Sequence, residues 1–233
     1  MGAVAEQARP SFSDRVMELL ERIDFSLAES TEEREEIYRL RYDAYLREGA
    51  IGANRAKRFS DSFDDKQNAW IFGVYVDGQL ASSIRLHVTI PGFSDLPASH
   101  VFSDILAPEI AAGKTIIDPT RFVTDQALAR THPELAYITV RIGWMAGEFF
   151  NADGILATVR AEHQAFYRRV FGHRPLCPPR PYPSLQKPIS LMMLDYRAAR
   201  ERVHRRYPFF RSTAFERRML FGRHVTVPHR TAA

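Results

Sequence analysis

The stretch AWIFGVYVDGQLASSIRLHV, residues 69–88, decides the fold. Two runs rich in β-branched and aromatic residues meet at Asp77-Gly78, a pair suited to the positive φ angles of a type I′ turn, so the stretch predicts an antiparallel hairpin. In its second strand, alternation puts Leu80, Ser82, Ile84, Leu86 and Val88 on one face and Ser83, Arg85 and His87 on the other. The second face either is solvated or lines a cleft.

Downstream, IIDPTRFV at 116–123 has the length and apolar ends of a buried strand but carries Asp118, Thr120 and Arg121. Burying these groups without partners is costly, so they call for something other than packing. Strict alternation sets Asp118 and Thr120 on one face and Arg121 on the other, while Pro119 favours a bulge that resets the register. A bulged strand also exposes backbone groups that a ligand amide or carbonyl can use.

Upstream, Ser30 and Glu33 form a capping box for a helix, EREEIYRLRYDAYLRE, ended by Gly49. Arg41 lies among Ile37, Tyr38, Ala44 and Tyr45, on the stripe that faces the core, so it either meets a carboxylate or anionic ligand or snorkels along the aromatics to the surface. The polar stretch 49–68 follows, with Asp61, Asp64 and Asp65 interleaved with Phe59 and Phe63. These acids suit either recognition of a cationic amine or a structural role, and they lack the ligand spacing and glycine of a calcium loop.

Periodicity predicts further helices over 13–23, within 91–112, over 133–151 and over 162–172, and strands over 24–30, 154–161 and 189–196. In the nearly all-apolar helix 133–151, Gly143 and Gly147 permit close packing; its residues Trp144, Met145 and Phe149 either line a pocket or form plain core. A proline-rich connection runs over 174–188, and RAARERVHRRY and STAFERRMLFG are two basic helices. His163, at a helix start, is either a general base or a surface histidine. The class is α/β (α+β), a mixed central sheet with helices on it.

Composition is that of a folded globular chain of 233 residues, 45% hydrophobic and 26% charged. The single cysteine, Cys177, excludes an intramolecular disulfide and argues against a structural zinc site, and no metal site is expected. With no signal-peptide core or membrane-length apolar run, the expected location is the cytoplasm. From Arg197 onward ten arginines face Glu201 and Glu216, a balance of +8 against −4 for the rest. This tail points to an anionic partner, or is a solvated basic face. Dinucleotide and P-loop glycine fingerprints are absent, and nothing suggests a nucleic-acid-binding helix pair.

In this order, YRLRYDAYLREG, SDSFDD, ASSIRLHV and IDPTRFV resemble the acyl-homoserine-lactone synthases and, more closely, the N-acyl amino acid synthases of the FeeM type. The resemblance covers roughly residues 25–175. It implies a GNAT-like mixed sheet whose two central strands splay apart to admit an acyl-thioester arm, flanked by a lead-in over 1–23 and an arginine-rich helical extension over 197–233. It also implies a fatty acyl transfer from acyl carrier protein to the α-amino group of an amino acid, with no permanently bound cofactor and acyl-phosphopantetheine as co-substrate. Asp118, Arg121 and Arg85 are the implied catalytic residues. Arg41, Tyr45, Asp61, Asp64, Thr120 and Phe122 are the implied substrate-binding residues, and Arg168, Arg169 and Arg174 would dock the carrier.

Two departures refine this expectation. Where coenzyme-A-dependent GNAT enzymes carry a glycine-rich pyrophosphate loop, this chain has TDQALARTHPEL, which favours the carrier-protein donor. The tyrosine that many GNAT enzymes use as general acid is also displaced: YRRVFGH has an extra residue between Tyr167 and Gly172, and His173 replaces phenylalanine. The alternatives are a homoserine-lactone synthase, a coenzyme-A-dependent acetyltransferase, or a non-catalytic module binding anions. The C-terminal arginines also suit an anionic membrane surface, which would leave the protein peripheral to the membrane.

Overall fold

The computed structural model describes residues 9–183 and 185–222. The hairpin forms as the sequence predicts: β2 (Ala69–Val76) and β3 (Gln79–Val88) pair antiparallel, with φ of 49° at Asp77 and 79° at Gly78. β1 (Ile23–Leu27), β4 (Ile116–Thr124), β5 (Gly154–Val159), β6 (Arg174–Pro175) and β7 (Ser190–Asp195) complete a sheet of order β1-β2-β3-β4-β5-β7-β6. The two-residue β6 lies in the proline-rich stretch, where periodicity gives no signal.

Every neighbouring pair is antiparallel except β4 and β5. These two are parallel and joined only at Ile116↔Gly154 and Ile117↔Ile155. Beyond that point β4 stays paired with β3 and β5 with β7, so the two halves of the sheet part between them. The fold is the expected mixed sheet with splayed central strands.

Helices cover both faces. α1 (Phe12–Leu20), α5 (Leu135–Phe149), α7 (Tyr196–Arg206) and α8 (Ala214–Phe221) share the main core with Trp70, Phe72, Leu86, Ile117 and Ile155. The two basic helices expected at the C-terminal end are therefore packed on the body, with Phe209, Phe210 and Phe221 buried between them and the sheet. Arg223 and Arg230 lie outside the described residues. α5 lies close over β5 and the start of α7 at Gly147, where a Cβ would come 2.7 Å from the Tyr196 ring and 3.0 Å from Ile155.

On the opposite face, α2 (Thr31–Arg47) packs Ile37 and Tyr38 on Ile71 and Leu80, while α3 (Ser103–Ala111) packs Leu106 near Ile116 and Leu156. The Ser83, Arg85, His87 strip faces this side and is wholly buried, so the solvated-face alternative falls. Two short helices, α4 (Gln126–Thr131) and α6 (Gln164–Val170), complete the set. Among the described residues no helix is long and apolar enough to cross a membrane.

The capping box forms in both directions at the start of α2, with Ser30 at the N-cap and Glu33 three residues in. Ser30→Ala is expected to cost about 1 kcal/mol, read as a lower urea midpoint at unchanged slope.

Candidate active site

Because α2 turns Ile37, Tyr38 and Arg41 toward the sheet, the Arg41 guanidinium is buried and must meet a carboxylate. Its Nη1 donates to Asp64 Oδ1 at 2.8 Å. The loop supplying Asp64 is wound on itself: Asp64 N donates to the Asp61 carbonyl at 3.0 Å and Asp61 N to Asp64 Oδ2 at 2.9 Å. This turn holds both carboxylates toward β3.

There Arg85, fully buried, joins them. Its Nη1 donates to Asp61 Oδ1 at 2.6 Å and Asp64 Oδ1 at 2.9 Å, and its Nε donates to Thr120 Oγ1 on β4 at 3.1 Å. Arg121 closes the chain, with Nε at 3.1 Å and Nη2 at 2.5 Å from Asp61 Oδ2. Its guanidinium lies 4.6 Å from the centre of the Phe59 ring and 5.8 Å from that of Tyr45.

Arg121 reaches Asp61 because of a bulge. Ser83 pairs with Val123 and Arg85 with Thr120, so Ile84 alone opposes Arg121 and Phe122, and Arg121 adopts φ 54°. The register resets as expected, but two residues beyond Pro119, which stands in register opposite Leu86. A left-handed non-glycine residue costs about 1–3 kcal/mol, and here Asp61 and the two rings hold it in place.

Asp118 lies opposite His87 and is 0% exposed. Its Oδ2 accepts from Ala98 N at 2.9 Å, while Oδ1 makes no hydrogen bond of normal geometry among the described residues, although the Thr158 hydroxyl lies near the carboxyl. Burial pushes this carboxyl up to about 7, with the Ala98 N–H and the nearby Arg85 charge only partly opposing it. Asp61 and Asp64 behave oppositely. Burial would raise both, but Arg85 with Arg121, and Arg41 with Arg85, outweigh it and hold them below the usual carboxylate range. Among the described residues three guanidinium groups and two ionised carboxylates make up this network.

His87 bonds the Phe63 carbonyl through Nε2 at 3.0 Å, and burial, helped by Arg85, pushes its pKa down to about 3. Its ring is neutral. Sequence reasoning gave it no role, nor one to Tyr182, whose phenol is pushed up to about 12 by burial within the fields of Arg121, Asp118, Arg85 and Asp61. Tyr182 sits among prolines, where no period assigns it a face.

Across the sheet, on the α5 side, Ile84, Pro119, Val140, Gly143, Trp144, Ile155, Phe171 and His173 line a narrow apolar cleft where β4 and β5 part. Trp144 thus lines a cleft while also belonging to the core, Met145 joins the core, and Phe149 and Phe122 pack against its edge. Arg168, Arg169 and Arg174 are exposed on and just after α6. His163 accepts from Arg160 at 2.8 Å rather than from any member of the network. Among the described residues no group of three or more His, Cys, Asp or Glu is arranged to hold a metal.

A parted β4–β5 pair with an acid and an arginine on the bulged strand is the arrangement expected of an acyltransferase, and the family model for the N-acyl amino acid synthase FeeM matches residues 36–195. The chain belongs to the FeeM family. As a member it is an N-acyltransferase.

No curated protein matches it in sequence. Among solved structures it is similar to FeeM, an N-acyl amino acid synthase from uncultured soil microbes, at 19% identity and TM-score 0.65 over 78% of this chain and 97% of that one. It is also similar to MesI, a CoA-dependent acyl-homoserine lactone synthase, at 21% identity and TM-score 0.52 over 83% and 97%. An acyl-CoA N-acyltransferase from Pseudomonas aeruginosa aligns at 17% identity and TM-score 0.50 over 74% and 99%. At these identities the solved structures establish the GNAT-like fold.

Proposed function

We propose that this enzyme moves a fatty acyl group from the phosphopantetheine of acyl carrier protein to the α-amino group of an amino acid in the cytoplasm. The observation that carries the reading is the pairing of an apolar cleft between parted strands with a buried polar network on the same β4 strand. The thioester enters the cleft, and the amine approaches from the network side. The attacking amine must be neutral, and Asp118, poised near neutrality, takes its proton directly or through water. The guanidinium groups of Arg121 and Arg85 in this network suit an acceptor bearing a carboxylate. Arg41, held by Asp64 and fully buried, acts at one remove by fixing the acid loop.

Two features support a carrier-protein donor over coenzyme A. After β4, where coenzyme-A enzymes present bare amides to pyrophosphate, the Asp125 side chain caps α4 by accepting from Leu128 N at 2.9 Å. A carboxylate in that place repels phosphates. On the chain that lines the cleft with Phe171 and His173, exposed Arg168, Arg169 and Arg174 suit an acidic carrier surface.

Mass spectrometry of lipid extracts from bacteria expressing the chain tests the reading. Acylated amino acids are expected with the wild type and absent with Asp118→Ala; their absence from both, with soluble protein, overturns it. Charge reversal of Arg168, Arg169 and Arg174 to glutamate is expected to raise KM for the acyl carrier by about 10-fold or more while leaving that for acyl-pantetheine unchanged. Equal KM values for both donors would reject the docking role.

A further inference from the structure

His173 lines the β4–β5 cleft yet has no part in the mechanism above. It is 3% exposed, and neither ring nitrogen makes a hydrogen bond of normal geometry among the described residues. An imidazole so buried is expensive to leave unpaired. No side chain around it is a partner: the neighbouring rings are Tyr167 at 5.6 Å and Phe171 at 5.7 Å, and the other lining side chains are apolar or aromatic. A phenylalanine or leucine would pack there without the cost.

Burial pushes the ring's pKa down to about 4, against weaker pulls from the Tyr167 and Ile155 main-chain carbonyls. It is neutral near pH 7, with one N–H and one lone pair. One of these carbonyls can take the N–H, and the other nitrogen keeps a lone pair, buried at the wall of the apolar cleft, for a donor. A phosphopantetheine arm is mostly apolar or weakly polar but carries secondary amides, whose N–H groups lose water when they enter such a channel. An acceptor on the wall restores that bond.

We propose that His173 is a positioning residue for the thioester donor, accepting a hydrogen bond from an amide N–H of the phosphopantetheine arm. This rests on the reading of the cleft given under Proposed function. Its place supports the assignment: Ile155 belongs to the last β4–β5 pair and Pro119 lies just beyond it, so His173 stands where the strands begin to part. It is joined through Gly172, at φ 88°, to the end of α6, so the loop that presents it is fixed by backbone geometry.

The test is calorimetric titration of the full chain with S-decyl-pantetheine, a thioether that binds but does not react. Wild type is expected to bind; His173→Phe and His173→Leu, which delete both nitrogens, are expected to bind about 10-fold more weakly at unchanged or higher melting temperature. His173→Gln, which keeps an acceptor, is expected to recover most of the loss. With turnover as a second readout, the apolar variants should raise KM for the donor and leave KM for the amino acid unchanged. Equal binding by wild type and His173→Phe overturns the role of His173 alone. An equal loss in all three variants assigns the residue to structure and also overturns it. No binding by wild type overturns the reading of the cleft together with this one.

Discussion

Asp118→Asn is expected to abolish acyl transfer and to make the protein more stable at pH 8. The two effects share one cause. Asp118 is fully buried, and its carboxyl is raised from 3.8 to about 7, so the native state binds the proton more tightly than the unfolded chain does. The associated stability is present when the group is protonated and declines as pH rises from the unfolded value through about 7. By pH 8 the ionised carboxylate weakens the fold by up to about 4 kcal/mol, which a neutral asparagine escapes. Asparagine can still accept from Ala98 N, so the local contact survives. It cannot take a proton, and loss of a general base costs about 10²–10⁴ in rate. Wild-type kcat/KM should climb with pH to a plateau above about 7. A melting series at pH 5 and pH 8, run beside the pH–rate profile, checks both halves. A variant that keeps wild-type turnover would remove Asp118 from the reaction, and one that gains nothing at pH 8 relative to pH 5 would remove its raised pKa.

Much of this site was legible before the fold, because its residues break local rules. Arg41 on an apolar helical stripe, Arg85 inside a strand and two acids between aromatics are each anomalies, and the simplest resolution is that they meet one another. They do, through Asp64 and Asp61. The hairpin was legible for a similar reason, since Asp77-Gly78 satisfies a backbone requirement within two residues.

What stayed hidden depends on partners distant in sequence. The face of Arg121 turns on where the bulge falls, and Pro119 marked the strand but not the residue; the left-handed step is at Arg121. Asp118 owes its raised pKa to complete burial, part of it under the loop that holds Ala98, twenty residues away, whose composition gives no sign of the contact. His173 stood out only as a departure from a tyrosine motif, and its place in the cleft needed β5, α5 and α6 in position together.

Arg85→Ala is the second variant with a large expected effect, and the structure changes what it should do. The catalytic role that the resemblance implies for Arg85 predicts, by itself, only lost turnover. Arg85 is instead the hub between Asp61, Asp64 and Thr120, so its removal leaves buried carboxylates short of their partner and should cost about 3–5 kcal/mol. That is a large share of a domain's usual margin of about 5–15 kcal/mol. The pH dependence identifies the cause. Burial would raise Asp61 and Asp64, yet Arg85 and its neighbours hold both below 3.8, so their contribution is present above that value and lost as pH falls through the depressed native values. The gap between wild type and Arg85→Ala should therefore be at its full width from pH 7 down to about 4 and narrow below that as the two carboxylates protonate. Arg85→Lys keeps the charge but loses the planar fork that reaches both the acids and Thr120, so it should fall between the two in stability and remain poorly active. Urea titrations at pH 7, 4 and 2 separate these cases. A deficit that stays constant with pH would mean that Arg85 acts through packing alone, and wild-type turnover in Arg85→Ala would mean that the network does not serve the reaction.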